Sequence, residues 1–353
     1  MTDIAKAVGV SQSTVSLVLN RMPGAKLSAE TRQRVIATAE AMGYRLPTRR
    51  STAAVHSARS AAPSPRQRIL YLTDEIATSP HPAVTMDGAR TLAWENSLLL
   101  AIHVTGGDRE LEESILDSAR ADASVLGVIY ATIITRGIEA SPALGALREA
   151  GKPLVLLNCT STDRALSSVI PAEVSGGYAA TEHLIAQGHA RIGFINGEPW
   201  MDAARDRLKG YRQALATADL PFDGELVREG DWMSSSGFEH ALALMQLARP
   251  PSAILCANDM MALGALDAMK QFGKAVPSQV SIVGYDDVEV ARHAHPPLTT
   301  VLLPNFAMGQ WAVERVIEEA AAHTPPPPRQ IKMECPLVER QSVGAAPRAG
   351  KQI

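Results

Sequence analysis

Residues 3–20, DIAKAVGVSQSTVSLVLN, place Gln12, Ser13, Thr14, Ser16, Leu17 and Asn20 at helical intervals. Their apolar companions, Val15, Val18, Leu19 and Met22, recur at i, i+3, i+4 and i+7 and belong on the opposite, inward face. A short polar row on an outward helix face can donate to and accept from base edges in a DNA major groove, where Gln can grip adenine through two bonds. A second chemistry-bearing pattern is the carboxylate pair Asp286–Asp287, at the end of the apolar run VSIVGY. Paired acids suggest acid–base or metal chemistry, but no further carboxylate or His stands nearby at ligand spacing. We expect neither an enzyme nor a resident metal or cofactor. His183 and His189, in TEHLIAQGHARI, bracket a helix end and read as structural. The chain has no GxxxxGK[ST] loop and no GxGxxG after a strand, which removes the usual phosphate cradles.

The elements that must carry these residues differ along the chain. Ile4, Ala5 and Val8 face inward on a first short helix that turns at Gly9, and Ser11 is placed to cap the second. A third helix begins after Ser28, carries Val35, Ile36, Ala39 and Met42, and stops at Gly43. Residues 1–68 hold eleven Lys and Arg against three acids, a net +8; since the whole chain is −3, the remainder is −11. A basic head on an acidic body is expected where one end meets a polyanion. Residues 48–65, rich in Ala, Ser, Arg and Pro, read as a hinge or linker after a 1–47 headpiece.

From residue 66 to 343, β-branched or Leu-rich runs alternate with helical patterns. One series runs ILYLT, SLLLAIHV, SVLGVIYA and PLVLLN; a second begins at SSVI and continues through RIGFING, AILCAND and VSIVGYDD. Alternating βα units predict parallel sheets covered on both faces, here as two doubly wound α/β lobes with a cleft at the strand ends. The tail 344–353 reads as disordered and lacks Leu heptads. No apolar run approaches the roughly 20 residues that span a bilayer, and the polar N-terminal helix does not read as a signal peptide, which predicts a cytoplasmic protein. Cys159, Cys256 and Cys335 fit neither a disulfide framework nor a zinc pattern and read as buried small hydrophobes.

In order and spacing, DIAKAVGVSQSTVSLVLN, SAETRQRVIATAEAMGYR, TEHLIAQGHARIGFING, RLKGYRQAL, AILCANDMMALGAL, VSIVGYDDVEVA, PPLTTV and LVERQS resemble the LacI/GalR family of bacterial transcription regulators over nearly the full length. The resemblance implies a helix-turn-helix headpiece on double-stranded operator DNA, a hinge that folds against it, and a periplasmic-binding-protein-like core that forms a homodimer. It also implies a chain return: residues near 298–330 to the first lobe and 331–343 to the second. Two departures bear on DNA. Leu17 stands where the family often has Arg, so a thymine methyl replaces guanine as its natural contact. In the hinge, Ala53 occupies the position of the family's minor-groove Leu wedge, with Val55 the nearest larger side chain; either Val55 substitutes, or Arg49 and Arg50 carry more affinity through phosphates.

For a small-molecule effector, the resemblance implies contacts from Asn158, Arg205, Trp232, Asn258 and Asp286, with Asp74 from the first lobe as a weaker candidate. Amides, a carboxylate, a guanidinium and an indole make a set suited to ring hydroxyls and a sugar face. The expected ligand is a carbohydrate, with a nucleobase as the alternative. Leu303 replaces a position often polar in the family. Asn258 and Asp286 could instead simply cap the segments after them, and Trp232 could be ordinary packing.

Overall fold

The computed structural model describes residues 7–8, 10, 29–41, 67–139, 141–162, 164–324 and 326–347. The chain divides into two compact units, Met1–Ser64 and Pro65–Ile353. Gln12, Ser13, Thr14, Ser16, Leu17, Asn20, Arg49, Arg50, Ala53 and Val55 all lie outside the described residues. In the first unit, helix α1 (Ala29–Ala41) buries Val35 completely, and Arg34 donates to the carbonyl of Val8 at 2.7 Å.

The second unit holds two six-stranded sheets. Its first lobe contains β1 (Arg68–Thr73), β2 (Leu99–Val104), β3 (Val125–Ile138), β4 (Leu154–Ser161), β5 (Ser167–Pro171) and, much later, β11 (Gln330–Met333). Their order is β11-β5-β4-β3-β1-β2, all parallel. Ile69 and Tyr71 of β1 join one core with α2 (His81–Glu95) and α10 (Asn305–Ala321). Leu70 and Leu72 join the other, with α3 (Arg109–Ala121) and α4 (Pro142–Glu149). This two-sided burial is why the strand reads as a continuous apolar run. Helices α2 and α10 touch backbone to backbone: a Cβ on Gly309 would stand 2.0 Å from the Thr85 carbonyl oxygen.

The second lobe contains β6 (Ile192–Asn196), β7 (Val227–Glu229), β8 (Ala253–Cys256), β9 (Ser281–Asp286), β10 (Thr299–Leu302) and β12 (Leu337–Val338). Their order is β12-β10-β9-β8-β6-β7, parallel except for the antiparallel edge strand β12. Helix α5 (Glu173–Ala186) packs on α6 (Asp202–Thr217), and α7 (Ser234–Met245) on α8 (Asp259–Gln271). The short α9 (Glu289–His293) follows β9.

Three boundaries differ from the sequence pattern. SSVI forms β5 of the first sheet rather than opening the second series. The return to the first lobe comprises α10 and β11, because Thr299–Leu302 still pairs with β9; only from β12 is the chain back in the second. Local periodicity identifies a strand but not the sheet it joins. The tail is also held beyond 344: the Gly344 amide donates to Ser281 Oγ at 3.1 Å, and the Ala346 amide to the Gln187 carbonyl at 2.8 Å. His189 lies beneath it, with Nδ1 2.8 Å from Ser252 Oγ and Nε2 3.1 Å from the Gly344 carbonyl. Burial pulls its pKa down, as suits a structural imidazole.

Candidate ligand-binding cleft

Chain crossings after β5, after β10 and after β11 join the lobes and leave the carboxyl ends of both sheets facing each other. Backbone strain collects on this edge. Asn158 has φ 58°, Trp232 69°, Asp286 111° and Asp287 53°, all in the left-handed region that side chains rarely adopt. Non-glycine residues persist there only where the surroundings fix them, typically at functional sites.

On the first-lobe side, two candidates build the wall of the cleft. Strand β3 bulges between Ala131 and Arg136, where its register against β4 shifts. Asn158 pins the bulge: its Nδ2 donates to the Thr132 and Ile133 carbonyls at 2.9 and 3.1 Å, and its Oδ1 accepts from Thr135 Oγ1 at 2.6 Å. Asp74 accepts from the Ile133 amide at 2.9 Å and pairs with Arg136 at 3.3 Å. Both side chains are therefore engaged in holding backbone.

On the second-lobe side, Asn258 caps α8: its Oδ1 accepts from the Met261 amide at 2.8 Å, while its Nδ2 donates to the Trp232 carbonyl at 2.9 Å. The capping alternative holds for Asn258, with the added duty of fixing the Trp232 loop. The Trp232 ring lies flat on Gly197, whose Cβ, if present, would be 2.0 Å from Trp232 Cζ2.

Arg205 does not join this group. It lies on the outer face of α6, 56% exposed, donating to the Trp200 carbonyl at 2.7 Å and the Pro199 carbonyl at 3.3 Å and pairing with Asp202. Arg207, two residues on, faces inward. Its Nε and Nη2 donate to the two Glu173 carboxylate oxygens at 2.8 and 2.9 Å, and Nη1 donates to the Ala257 carbonyl. The guanidinium lies 3.8 Å from the Tyr285 ring centroid, 5.6 Å from that of Trp232, and 3.7 Å from Asp286 Oδ1. The signal for it lies in the helix period: Ala204, Arg207, Tyr211, Ala214 and Leu215 form the buried stripe of α6.

His81, at the start of α2, is a second residue absent from the sequence candidates. Asn305 Nδ2 lies 3.1 Å from its Nδ1, and its Nε2 stands 3.3 Å from Asp286 Oδ2. This contact links the lobes. Beside it is a cavity of about 20 Å³ lined by Tyr71, Thr73, His81, Thr132, Asn158 and Asn305. Four buried polar atoms on the second-lobe side, Asn196 Oδ1, Trp232 Nε1, the Tyr285 hydroxyl and Asp286 Oδ1, have no hydrogen-bond partner among the described residues. Each such orphan costs about 1–3 kcal/mol.

The acids beneath Asp286 are anchors. Asp287 pairs with Arg340 at 2.5 Å and Arg292 at 3.3 Å. Asp259 is fully buried and accepts from Thr300 Oγ1 at 2.6 Å and the Val288 amide at 2.9 Å. Burial, and then the Asp286 charge, push its pKa from the ordinary 3.8 to about 8. A carboxyl with a raised native pKa adds stability that is full below its unfolded pKa and lost as pH rises through the native one. The thermal midpoint should therefore fall between about pH 4 and pH 8 and level off above, and Asp259→Asn should flatten the fall. A level wild-type profile across that range contradicts the assignment. Among the described residues, no cluster of three His, Cys, Asp or Glu side chains is placed to hold a metal, and no helix is long and apolar enough to cross a membrane.

Residues 1–46 match the family of bacterial regulatory proteins, lacI family, and residues 181–343 match the periplasmic binding protein-like domain. The HTH-type transcriptional regulator MalR of Streptomyces coelicolor (strain ATCC BAA-471 / A3(2) / M145) is 33% identical, covering 98% of this chain and 97% of its own. The chain belongs to the LacI family. Among solved structures, the transcriptional regulator CelR–cellobiose complex is 28% identical with a TM-score of 0.63, covering 96% of this chain and 98% of that one. The lac repressor dimer bound to operator and the anti-inducer ONPF is 26% identical with a TM-score of 0.65, over 97% and 98%. As a LacI-family member, the protein is a DNA-binding transcriptional regulator and not an enzyme.

Proposed function

We propose that the protein is an operator-binding repressor whose DNA affinity is set by a carbohydrate held between the lobes of the 65–353 unit. The observation that carries this is the meeting, at one edge, of strained Trp232 and Asp286 with the orphaned Asn196 Oδ1, Trp232 Nε1 and Asp286 Oδ1. Donors and acceptors with no hydrogen bond from the protein, beside an indole face, match the hydroxyls and the apolar face of a sugar ring. The complex of the CelR relative with cellobiose supports the same class. A cavity of about 20 Å³ has room for one water but not for a sugar ring. A sugar seated between the lobes would exchange the His81–Asp286 contact for contacts of its own. Asp74, Asn158 and Asn258 act by holding the loops that present the site, and Arg207 replaces Arg205 as its guanidinium.

The headpiece residues Gln12, Ser13, Thr14, Ser16, Leu17 and Asn20 supply base readout, and Arg49 and Arg50 supply phosphate contacts, with Ala53 and Val55 in the hinge. A homodimer presents two headpieces to successive half-sites. Its surface is supported by β2, an edge strand whose Leu99, Ile102 and Val104 are exposed, beside exposed Val84 and Trp94 of α2.

A thermal-shift panel of glucose, ribose, maltose and cellobiose tests the ligand class. A ligand at one hundred times its Kd stabilises by about 2.7 kcal/mol, which should raise the midpoint by several degrees. Trp232→Ala should abolish the rise. An undiminished rise in that variant removes Trp232 from the site, and a wild type that responds to none of the four sugars removes the carbohydrate.

A further inference from the structure

Trp200, 60% exposed, stands in the loop after β6, and the protein holds that loop firmly. The Met201 amide donates to the Glu198 carbonyl at 3.1 Å, and Arg205 grips the carbonyls of Pro199 and of Trp200 itself while pairing with Asp202. Solvent-exposed indoles are common, but one whose own backbone carbonyl is clamped by a guanidinium has been given a defined position. The loop begins at Gly197, the residue on which the Trp232 ring is seated. From Gly197, three residues reach at most about 11 Å, so the Trp200 backbone stands within that distance of the seat of Trp232. The loop also leads into α6, which packs against β3 of the first lobe, so Trp200 stands near the junction of the two lobes.

We propose that Trp200 is the outer aromatic platform of a two-ring carbohydrate site: Trp232 meets the inner ring and Trp200 the ring that projects from the cleft mouth. This rests on the carbohydrate reading above and narrows it to disaccharides or glycosides with a second ring. Arg205 is a positioning residue. It touches no ligand and fixes the loop that carries the platform, which also accounts for a cation in the first turn of a helix, where the dipole disfavours it.

Calorimetric titration of the full-length protein with cellobiose, maltose and glucose tests this. Trp200→Ala should weaken the preferred disaccharide by about tenfold, the worth of one stacking contact, and leave glucose unchanged. Trp200→Phe should restore most of the loss, and Arg205→Gln should weaken the disaccharide alone, by a smaller factor. Wild-type thermal midpoints in these variants establish that the fold is intact. The platform is overturned if Trp200→Ala binds all sugars as the wild type does, if it loses disaccharide and glucose equally, or if the wild type takes glucose and neither disaccharide. A wild type that binds none of the three fails at the carbohydrate reading itself, a result distinct from the others, and the platform falls with it.

Discussion

Arg207→Met should lower the thermal midpoint of the 65–353 unit by roughly 10 °C and abolish its response to ligand. Removing the guanidinium leaves the Glu173 carboxylate, only 3% exposed, with neither of the two charge-assisted bonds it now accepts. Breaking a buried pair by deleting one partner costs about 3–5 kcal/mol, because the survivor stays desolvated and uncompensated. The same change strips the Ala257 carbonyl of its donor and removes the cation beside Asp286, so the cleft edge loses its support together with the fold. The double variant Arg207→Met, Glu173→Gln separates the two effects. It should recover most of the stability while remaining unresponsive to sugar. Calorimetry reads both, and a single variant that melts with the wild type would show that the pair is not the keystone of this lobe.

The second large effect is electrostatic. With residues 1–68 at +8 and the remainder at −11, attraction to DNA is confined to the N-terminal end of the chain. A dimer making 6–10 phosphate contacts should lose about a thousandfold or more in operator affinity between 50 and 200 mM salt. Replacing both Arg49 and Arg50 by Gln should flatten the log–log slope by about one for each phosphate contact removed. The 65–353 unit alone should retain no operator at any of these salt concentrations. An affinity insensitive to salt, measured by fluorescence anisotropy, would contradict a phosphate-dominated grip.

Much of this architecture can be read in the sequence because the core strands obey simple rules. ILYLT is buried on both faces, so its run is unbroken, and the βα alternation is visible without long-range information. What periodicity does not contain is partnership across the chain. SSVI reads as a strand, but only its pairing with PLVLLN assigns it to the first sheet. Gly344 reads as a tail because its partners, His189 and Ser281, lie far away in sequence.

The cleft shows the same division. Asn258 and Asp286 stand at strand ends and could be found there, whereas His81 becomes part of the site only when the lobes meet. Arg207 is harder to single out than Arg205 because a buried Arg contradicts the ordinary surface preference of that residue. Its compensation, Glu173, is 34 positions away. Among the positive-φ positions, Trp232 and Asp286 carry no local glycine-like signature at all. Strain at a site is invisible to composition.

The central claim is that one ligand in the cleft and one operator at the headpiece bias the same equilibrium. The measurement is a pair of titrations: operator affinity with and without the sugar that raises the thermal midpoint, and affinity for that sugar with and without operator. Linkage requires both to change by the same factor, which for such coupling is about 5–150-fold. Equal factors of that size are the predicted result. A sugar that binds the cleft, is lost in Trp232→Ala, and leaves operator affinity untouched would contradict it.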